Sequence, residues 1–431
     1  MAKPKLCLIP AAQGTSLYSV LPSSGVGDFS FNRSGSATRI NAQGLIETVG
    51  SGVSRLNYPM IDGVVKGCPH HILEPQRSNL VPYSEDFSQW ANSNSSDLSN
   101  QIISPNGTLN ADKLITNNGS INGQITKILV KNASAITYSY SVFAKKGEWD
   151  RCNLYVNDAS SFSNRVQFFV DLETGNIIQT STAGSFSSAS SSSEDYGNGW
   201  YRFSVTFTTS TETAITARIY SISSLYTTGD GTSGIYIYGA MLEEGSFPTS
   251  YIPNYGTSSG VTRSAETANG SGDAATFNSE QGVLMAEISA LDNDGTYKQI
   301  LLHDNAYNNR IALRYMPISN QINAVLHNGS IQADFTYNLA NALDFNKIAF
   351  KYKENDFALW VNGIEIDTDG TGTTFSANTL EKIDFDFINN YFFYGKTKQL
   401  QYFDTADIDL EQLTSWVSFQ EMAEGQLYSV E

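Results

Sequence analysis

Apolar residues recur at every second position in one segment of this chain after another, and each run is stopped by a turn. ITYSYSVFAKKG (136–147) alternates and ends at Lys-Lys-Gly. RVQFFVDLETGNIIQT (165–180) reads as a strand, an Asp-Leu-Glu-Thr-Gly turn and a return strand, and NGWYRFSVTFTT (198–209) and GIYIYGAMLEEG (234–245) repeat the pattern. A period of two sends alternate side chains to opposite faces of a pleated strand, which no amphipathic helix can use. The pattern continues in GVLMAEISA (282–290), RIALRYM (310–316), QINAVLH (321–327), NKIAFKYKENDFALWVNGIEIDTDG (346–370) and KIDFDFI (382–388), with Asn362-Gly363 as a two-residue hairpin turn. Tyr and Phe number 23 each and charged residues make up only 16%, which favours strands joined by turns. The expectation is an all-β protein: an N-terminal region at 1–80 and two β-sandwich (jelly-roll) domains at 81–254 and 258–431.

The connecting segments refine this plan. ATRINAQGLIETV (37–49) predicts a hairpin with Gly44 at positive φ, and its flanks are too rich in Gly and Ser for a core of their own. Residues 1–80 therefore read as an attachment region that packs on a partner or on neighbouring copies. LEPQRSNLVPYSEDFSQW (73–90) has neither helical period nor strand alternation. Pro75 interrupts any ladder, Arg77 suits bidentate contact with a carboxylate, and Tyr83, Phe87 and Trp90 have large areas to bury, so the segment reads as a clasp onto the first sandwich. TAGSFSSASSSSEDYGNG (182–199) reads as a mobile loop, and NYGTSSGVTRSAETANGSGDAA (254–275) as a linker or edge segment. IDLEQLTSWVSFQEMA (408–423) predicts a helix capped by Asp409, with Gln412 three residues on and Leu410, Leu413 and Val417 along one face, closing the last sandwich.

Charge and cysteine usage exclude several roles. A formal net charge of -17 repels nucleic acid phosphates and anionic lipid surfaces, so neither nucleic acid nor membrane insertion is expected. No apolar run approaches the ~18 residues of a membrane span, and the start has too short an apolar run for a signal peptide. Cys7, Cys68 and Cys152 lack the spacing of a disulfide framework or zinc site; folding in a reducing cytosol is the simplest account. His70, His71, His303 and His327 make no H-E-x-x-H pattern, and GDGTSG (229–234) reads as a turn.

Four separated stretches occur in a telling order: SGSATRINAQGLIETVGSGVSRLNYP, GCPHHILEPQRSNLVPYSEDFSQW, GDGTSGIYIYGAMLEEGSFPTSYIPN and VTRSA. Over residues 28–265 they resemble a module of tail fibres, head fibres and other surface appendages of tailed bacteriophages. The chain departs from that pattern at Met241 (Gln in the family), at Tyr238 (Trp) and at His70-His71. The middle sandwich looks like jelly-roll carbohydrate-binding modules. KIAFKYKENDFALWVNGIEI followed by GKTKQLQYFDTADIDLEQLTSW is similar to the close of concanavalin A-like and laminin-G-like sandwiches. The resemblance implies a virion structural protein, a head or tail fibre or decoration, displaying lectin-like domains to host-surface or environmental glycans. It implies attachment to other virion proteins through residues 1–80, self-association as a homotrimer, and a place on the virion surface after assembly in the host bacterial cytoplasm. A purely architectural virion protein is one alternative.

Three constellations are candidate sites. In GIEIDTDG, Glu365, Asp367 and Asp369 alternate, which predicts three carboxylates on one strand face. Glycosidases of the concanavalin-like fold carry such a motif, so a polysaccharide depolymerase is the other alternative; a solvated edge strand is the stronger reading, and no catalysis is expected. ALDNDGTYK and HDNAYNN offer Asp292, Asp294, Asp304 and Asn305 as oxygen donors to calcium, the one cofactor considered. Sugar binding needs flat aromatic faces with a few polar groups, and Trp149, Tyr155 and Tyr226 with Asn153 meet that need, whereas Trp200, Trp360 and Trp416 read as core or helix face.

Overall fold

The computed structural model describes residues 3–13, 16–386 and 391–416. Within them the alternation becomes burial. In Thr137–Lys145, Tyr138, Tyr140, Val142 and Ala144 enter one core, and Ser139, Ser141 and Phe143 take the other face. The protein is all-β, with two sandwiches and, among the described residues, one short α-helix.

The middle sandwich packs two six-stranded antiparallel sheets. One has the order Ala91–Ser93, Gln124–Val130, Ala214–Ile222, Arg151–Asp158, Ser161–Asp171, Ile177–Ala183; it is called the open sheet below. The covered sheet has the order Ser95–Ile103, Leu109–Thr116, Gly234–Glu244, Thr137–Lys145, Trp200–Thr208, Ser187–Asp195. The serine-rich segment is thus a paired strand, not a loop: Ser190 to Asp195 sit opposite Thr206 to Tyr201, and Phe186 at its start stacks on Phe207 at 5.7 Å. Serine is a weak strand former, and pairing with a strongly apolar neighbour overrides that preference.

The last sandwich pairs a five-stranded sheet with an eleven-stranded one, and Leu6–Gln13, Ser16–Leu21, Phe29–Asn32, Leu56–Asn57 and His70–Leu73 are part of the larger. Leu6 and Leu8 sit opposite Tyr402 and Leu400, Ile72 opposite Lys396, and Thr267 opposite Asn32. Leu6, Leu8, Leu17, Phe29 and Phe31 belong to its core. The expected attachment region therefore finds its partner within its own chain, in strands more than 300 residues downstream. Its hairpin forms as expected, Ala37–Ile40 with Ile46–Val49 and Gly44 at φ 77°, and covers the middle sandwich: Ile40 and Ile46 pack with Phe143, Trp200, Tyr238 and Met241. Asn362 and Gly363 have φ 51° and 84°, as a tight hairpin turn requires.

The helix is shorter than its sequence pattern. It spans Leu410–Thr414, capped by Asp409 accepting from the Gln412 N–H at 2.9 Å, and Ser415 is already extended. Leu410 and Leu413 pack on Val283, Met285 and Phe403 at the back of the large sheet; Val417 lies outside the described residues.

Segment 73–90 joins the sandwiches. Phe87 and Trp90 are buried in the middle core, and the Trp90 indole donates to the Tyr83 carbonyl at 3.1 Å. Arg77 makes a looser contact than expected, 3.8 Å from Glu243 while stacking on Phe247. The bidentate contacts belong to other arginines. Arg33 and Arg55 donate to Glu266 at 2.7 and 2.8 Å, Arg55 and Arg263 each reach Glu74 at 2.7 Å, and all five side chains are buried. Burial opposes the ionised form of Glu74, yet Arg263 and Arg55 hold it well below the usual carboxylate range. Removing one member would strand a charge at a cost of about 3–5 kcal/mol.

Candidate functional site

Each sheet of the middle sandwich has one face in the core and one facing outward. Residues 37–61 and 247–252 cover the outer face of the covered sheet, where Tyr238 and Met241 are buried. The Tyr238 hydroxyl bonds to Glu85 and Asn106, so the two departures from the phage-appendage pattern are packing positions here.

Among the described residues no other segment covers the outer face of the open sheet, although Asn153, Tyr155 and Asn157 at its centre are buried by their own neighbours on the face. Cys152, Leu154 and Val156 of Arg151–Asp158 point into the core, which turns Asn153, Tyr155 and Asn157 outward. Strand register then sets rows across the sheet. One row runs Thr126, Arg218, Tyr155, Gln167; the next runs Gln124, Tyr220, Asn153, Phe169. Tyr155 and Tyr220 meet edge to face at 5.9 Å. The exposed Phe162 ring, 59% accessible, overhangs the sheet with the Arg218 guanidinium 4.7 Å from its centroid. Arg218 is held in place by donating to Asn157 Oδ1 at 2.8 Å and Gln124 Oε1 at 3.0 Å. Burial pushes the phenols of Tyr155 and Tyr220 up, so both remain protonated donors at neutral pH.

The chemistry of this face suits a sugar. Pyranose rings offer C–H faces to flat aromatics and hydroxyls to amides, phenols and guanidinium groups, and the face supplies all of these on rigid strands. Of the four residues expected to bind glycan, Tyr155 and Asn153 lie on this face, but both are buried, 8% and 5% accessible. Asn153 is partly committed, accepting the Phe168 N–H at 3.2 Å. Tyr226 is exposed at the end where the strand Ala214–Ile222 leaves the sheet. Trp149 is a correction: it is 4% exposed within the sandwich core, the ordinary fate of a large aromatic just before a central strand. Phe162, Arg218, Tyr220, Gln124 and Gln167 were missed. Arg218 and Tyr220 share a parity in TARIYSI, but only the pairing with Tyr155 reveals a platform.

The other candidate sites come apart. Ile364–Asp369 is the outermost strand of the large sheet, and a bulge sets Glu365 opposite Trp360 and Asp367 opposite Leu359. Adjacent residues point to opposite faces, so Glu365 and Asp367 do not share one as the alternation predicted. Asp369 caps a turn by accepting from Thr371. The calcium donors divide between the two ends of Lys298–His303, a six-residue strand of roughly 20 Å. Asp294 is engaged by Lys298 Nζ at 2.5 Å, Asp292 by Ser246 at 2.9 Å, Asp304 by Asn309 at 2.7 Å, and the Asn305 amide by Glu381. Among the described residues no three His, Cys, Asp or Glu gather where they could hold a metal ion.

No protein-family model and no curated protein matches the chain. Solved structures do. The CBM40 module of the Ruminococcus gnavus IT-sialidase bound to α2,3-sialyllactose is 15% identical, covering 32% of this chain and 83% of that one, at a TM-score of 0.28. Sheep galectin-11 in complex with glycerol is 10% identical over 28% and 85% of the two chains, at 0.18. Domains LG4-5 of the mouse laminin α1 chain are 12% identical over 70% and 90%, at 0.23. Such scores describe a distant likeness and say nothing of what this chain binds.

Proposed function

We propose that this chain is a glycan-binding subunit of a tailed-bacteriophage appendage, a head or tail fibre or decoration protein, and that it adheres through the open sheet of its middle sandwich. The observation that carries the binding is a sheet face on which the exposed Phe162 and the half-buried Arg218 and Tyr220 gather over the buried Tyr155. The appendage part is supported by the four ordered stretches within residues 28–265. Single contacts on such a face are weak, and copies held together on one particle, as a homotrimer or in larger number, multiply them. Attachment to other virion proteins, on this reading, uses the outer side of the first two strands, where Ile9, Tyr18 and Val20 are exposed.

A glycan array probed with the full chain, with and without calcium, tests the binding. The wild type should bind, and Phe162→Ala and Arg218→Ala should each weaken it about tenfold, the loss of roughly 1.4 kcal/mol. Silence in both conditions would favour the purely architectural protein, and release of reducing ends from a polysaccharide would favour the depolymerase. Imaging labelled chains on intact particles tests the virion placement.

A further inference from the structure

A cavity of about 680 Å³ lies on the opposite side of the middle sandwich from the open sheet, between that sandwich and the last one. Its volume falls within the roughly 300–1,000 Å³ of small-molecule sites. One wall is the outer face of the covered sheet, where Ser190 pairs with Thr206 and Ser192 with Ser204. The opposing wall carries Lys396 and the buried His70, whose Nδ1 has no hydrogen-bond partner. The hairpin Met60–Ile61 and Val64–Val65 closes one side; its Gly63 sits so near Gly197 that a Cβ there would meet the Gly197 Cα at 2.8 Å.

Lys396 is the decisive group. The other cations lining the cavity are engaged, Arg39 by Glu47 at 2.8 Å and Arg202 by Ser141 at 3.0 Å. Most lining carboxylates are engaged too: Asp62 by Lys66, Asp195 by the Gly197 N–H, Asp292 by Ser246 and Glu74 by Arg55 and Arg263. Lys396 has no hydrogen bond or ion pair among the described residues, and Glu194, Glu74 and Asp344 act on it only as longer-range charges. Among the described residues the hydroxyls of Ser190, Ser192 and Ser204 have no hydrogen-bond partner either. A half-buried ammonium facing a hydroxyl-lined space favours an anion that also carries hydroxyls.

We propose that this cleft is a second site, independent of the open sheet, that takes an acidic saccharide of one or two residues: its carboxylate on Lys396 and its hydroxyls on the serine wall. Calorimetric titration of the full chain with sodium glucuronate, and with glucose as the neutral control, tests it. Glucuronate should bind the wild type, at least about tenfold more tightly than glucose, and more weakly in high salt. Lys396→Met should abolish that preference, Lys396→Arg should keep it and show that the fold survives substitution, and Arg218→Ala on the open sheet should leave it unchanged. Equal binding of glucose, an unaffected Lys396→Met variant, or loss on Arg218→Ala would overturn the proposal. So would no glucuronate binding by the wild type, including the case in which an acetylated Asp-Glu dipeptide binds in its place.

Discussion

The middle sandwich draws its twelve strands from one stretch, residues 91–244, whereas the last sandwich is assembled from residues 6–73 and 267–403. In the first, each strand finds a partner within the same stretch. In the second, Gly395–Phe403 is flanked by Gln281–Ala290 on one side and by Leu6–Gln13 and His70–Leu73 on the other. Both lobes have large buried cores, but only the middle one takes all its strands from one continuous stretch. A long-range closure of this kind also ties the lobes together, because the chain must pass between them repeatedly, and the buried Arg–Glu cluster sits on those crossings.

This contrast can be broken or sharpened by measurement. The largest effect should follow Glu266→Gln, which leaves Arg33 buried without a carboxylate and Arg55 with Glu74 alone; a loss of about 3–5 kcal/mol is expected, with faster hydrogen exchange in both sandwiches. A stability change under 1 kcal/mol would remove the cluster from its role as the joint. Next comes Leu8→Ala, on a strand only the last sandwich uses. It should cost about 2–5 kcal/mol and loosen Gly395–Phe403 and Gln281–Ala290 while Thr137–Lys145 keeps its protection. Equal loosening of the middle strands would mean the lobes unfold as one. The smallest effect is pH-dependent. Burial pushes Asp112 and Asp386, one in each sandwich, up to about 6. A carboxyl raised in the folded state contributes stability that is full below its unfolded value near 4 and is lost as pH rises through about 6. Melting should therefore occur a few degrees higher at pH 5 than at pH 7.5, and the double variant Asp112→Asn, Asp386→Asn should show less of this difference. An unchanged difference would assign it to general charge repulsion.

How much of this was legible in the sequence follows from what alternation encodes. Period two reveals that Thr137–Lys145 is a strand and which of its residues share a face. It reveals nothing about which strand lies alongside. Asn362-Gly363, Gly44 and the Asp409 cap were readable because turn and cap chemistry is local. The strand Ser187–Asp195 was not, because its stability comes from Trp200–Thr208 beside it and not from its own serines. The candidate platform failed at the same step. Tyr155 and Asn153 were found by composition, Trp149 was drawn in by mere nearness along the chain, and Tyr220, Arg218 and Phe162 arrive only through register. Lys396 stands out only once the other lining cations, Arg39 and Arg202, are seen to be engaged.

Among the described residues the strand Ile364–Asp369 ends the large sheet with an unpaired edge, and the exposed Ile364 makes that edge a ready template for another chain. Glu365 and Asp367, neither of them placed for catalysis, sit on this edge. A second copy docking there antiparallel would meet its own carboxylates across the new ladder, and their mutual repulsion would oppose growth into a continuous ribbon. These acids thus guard against clumping at this border of the sheet.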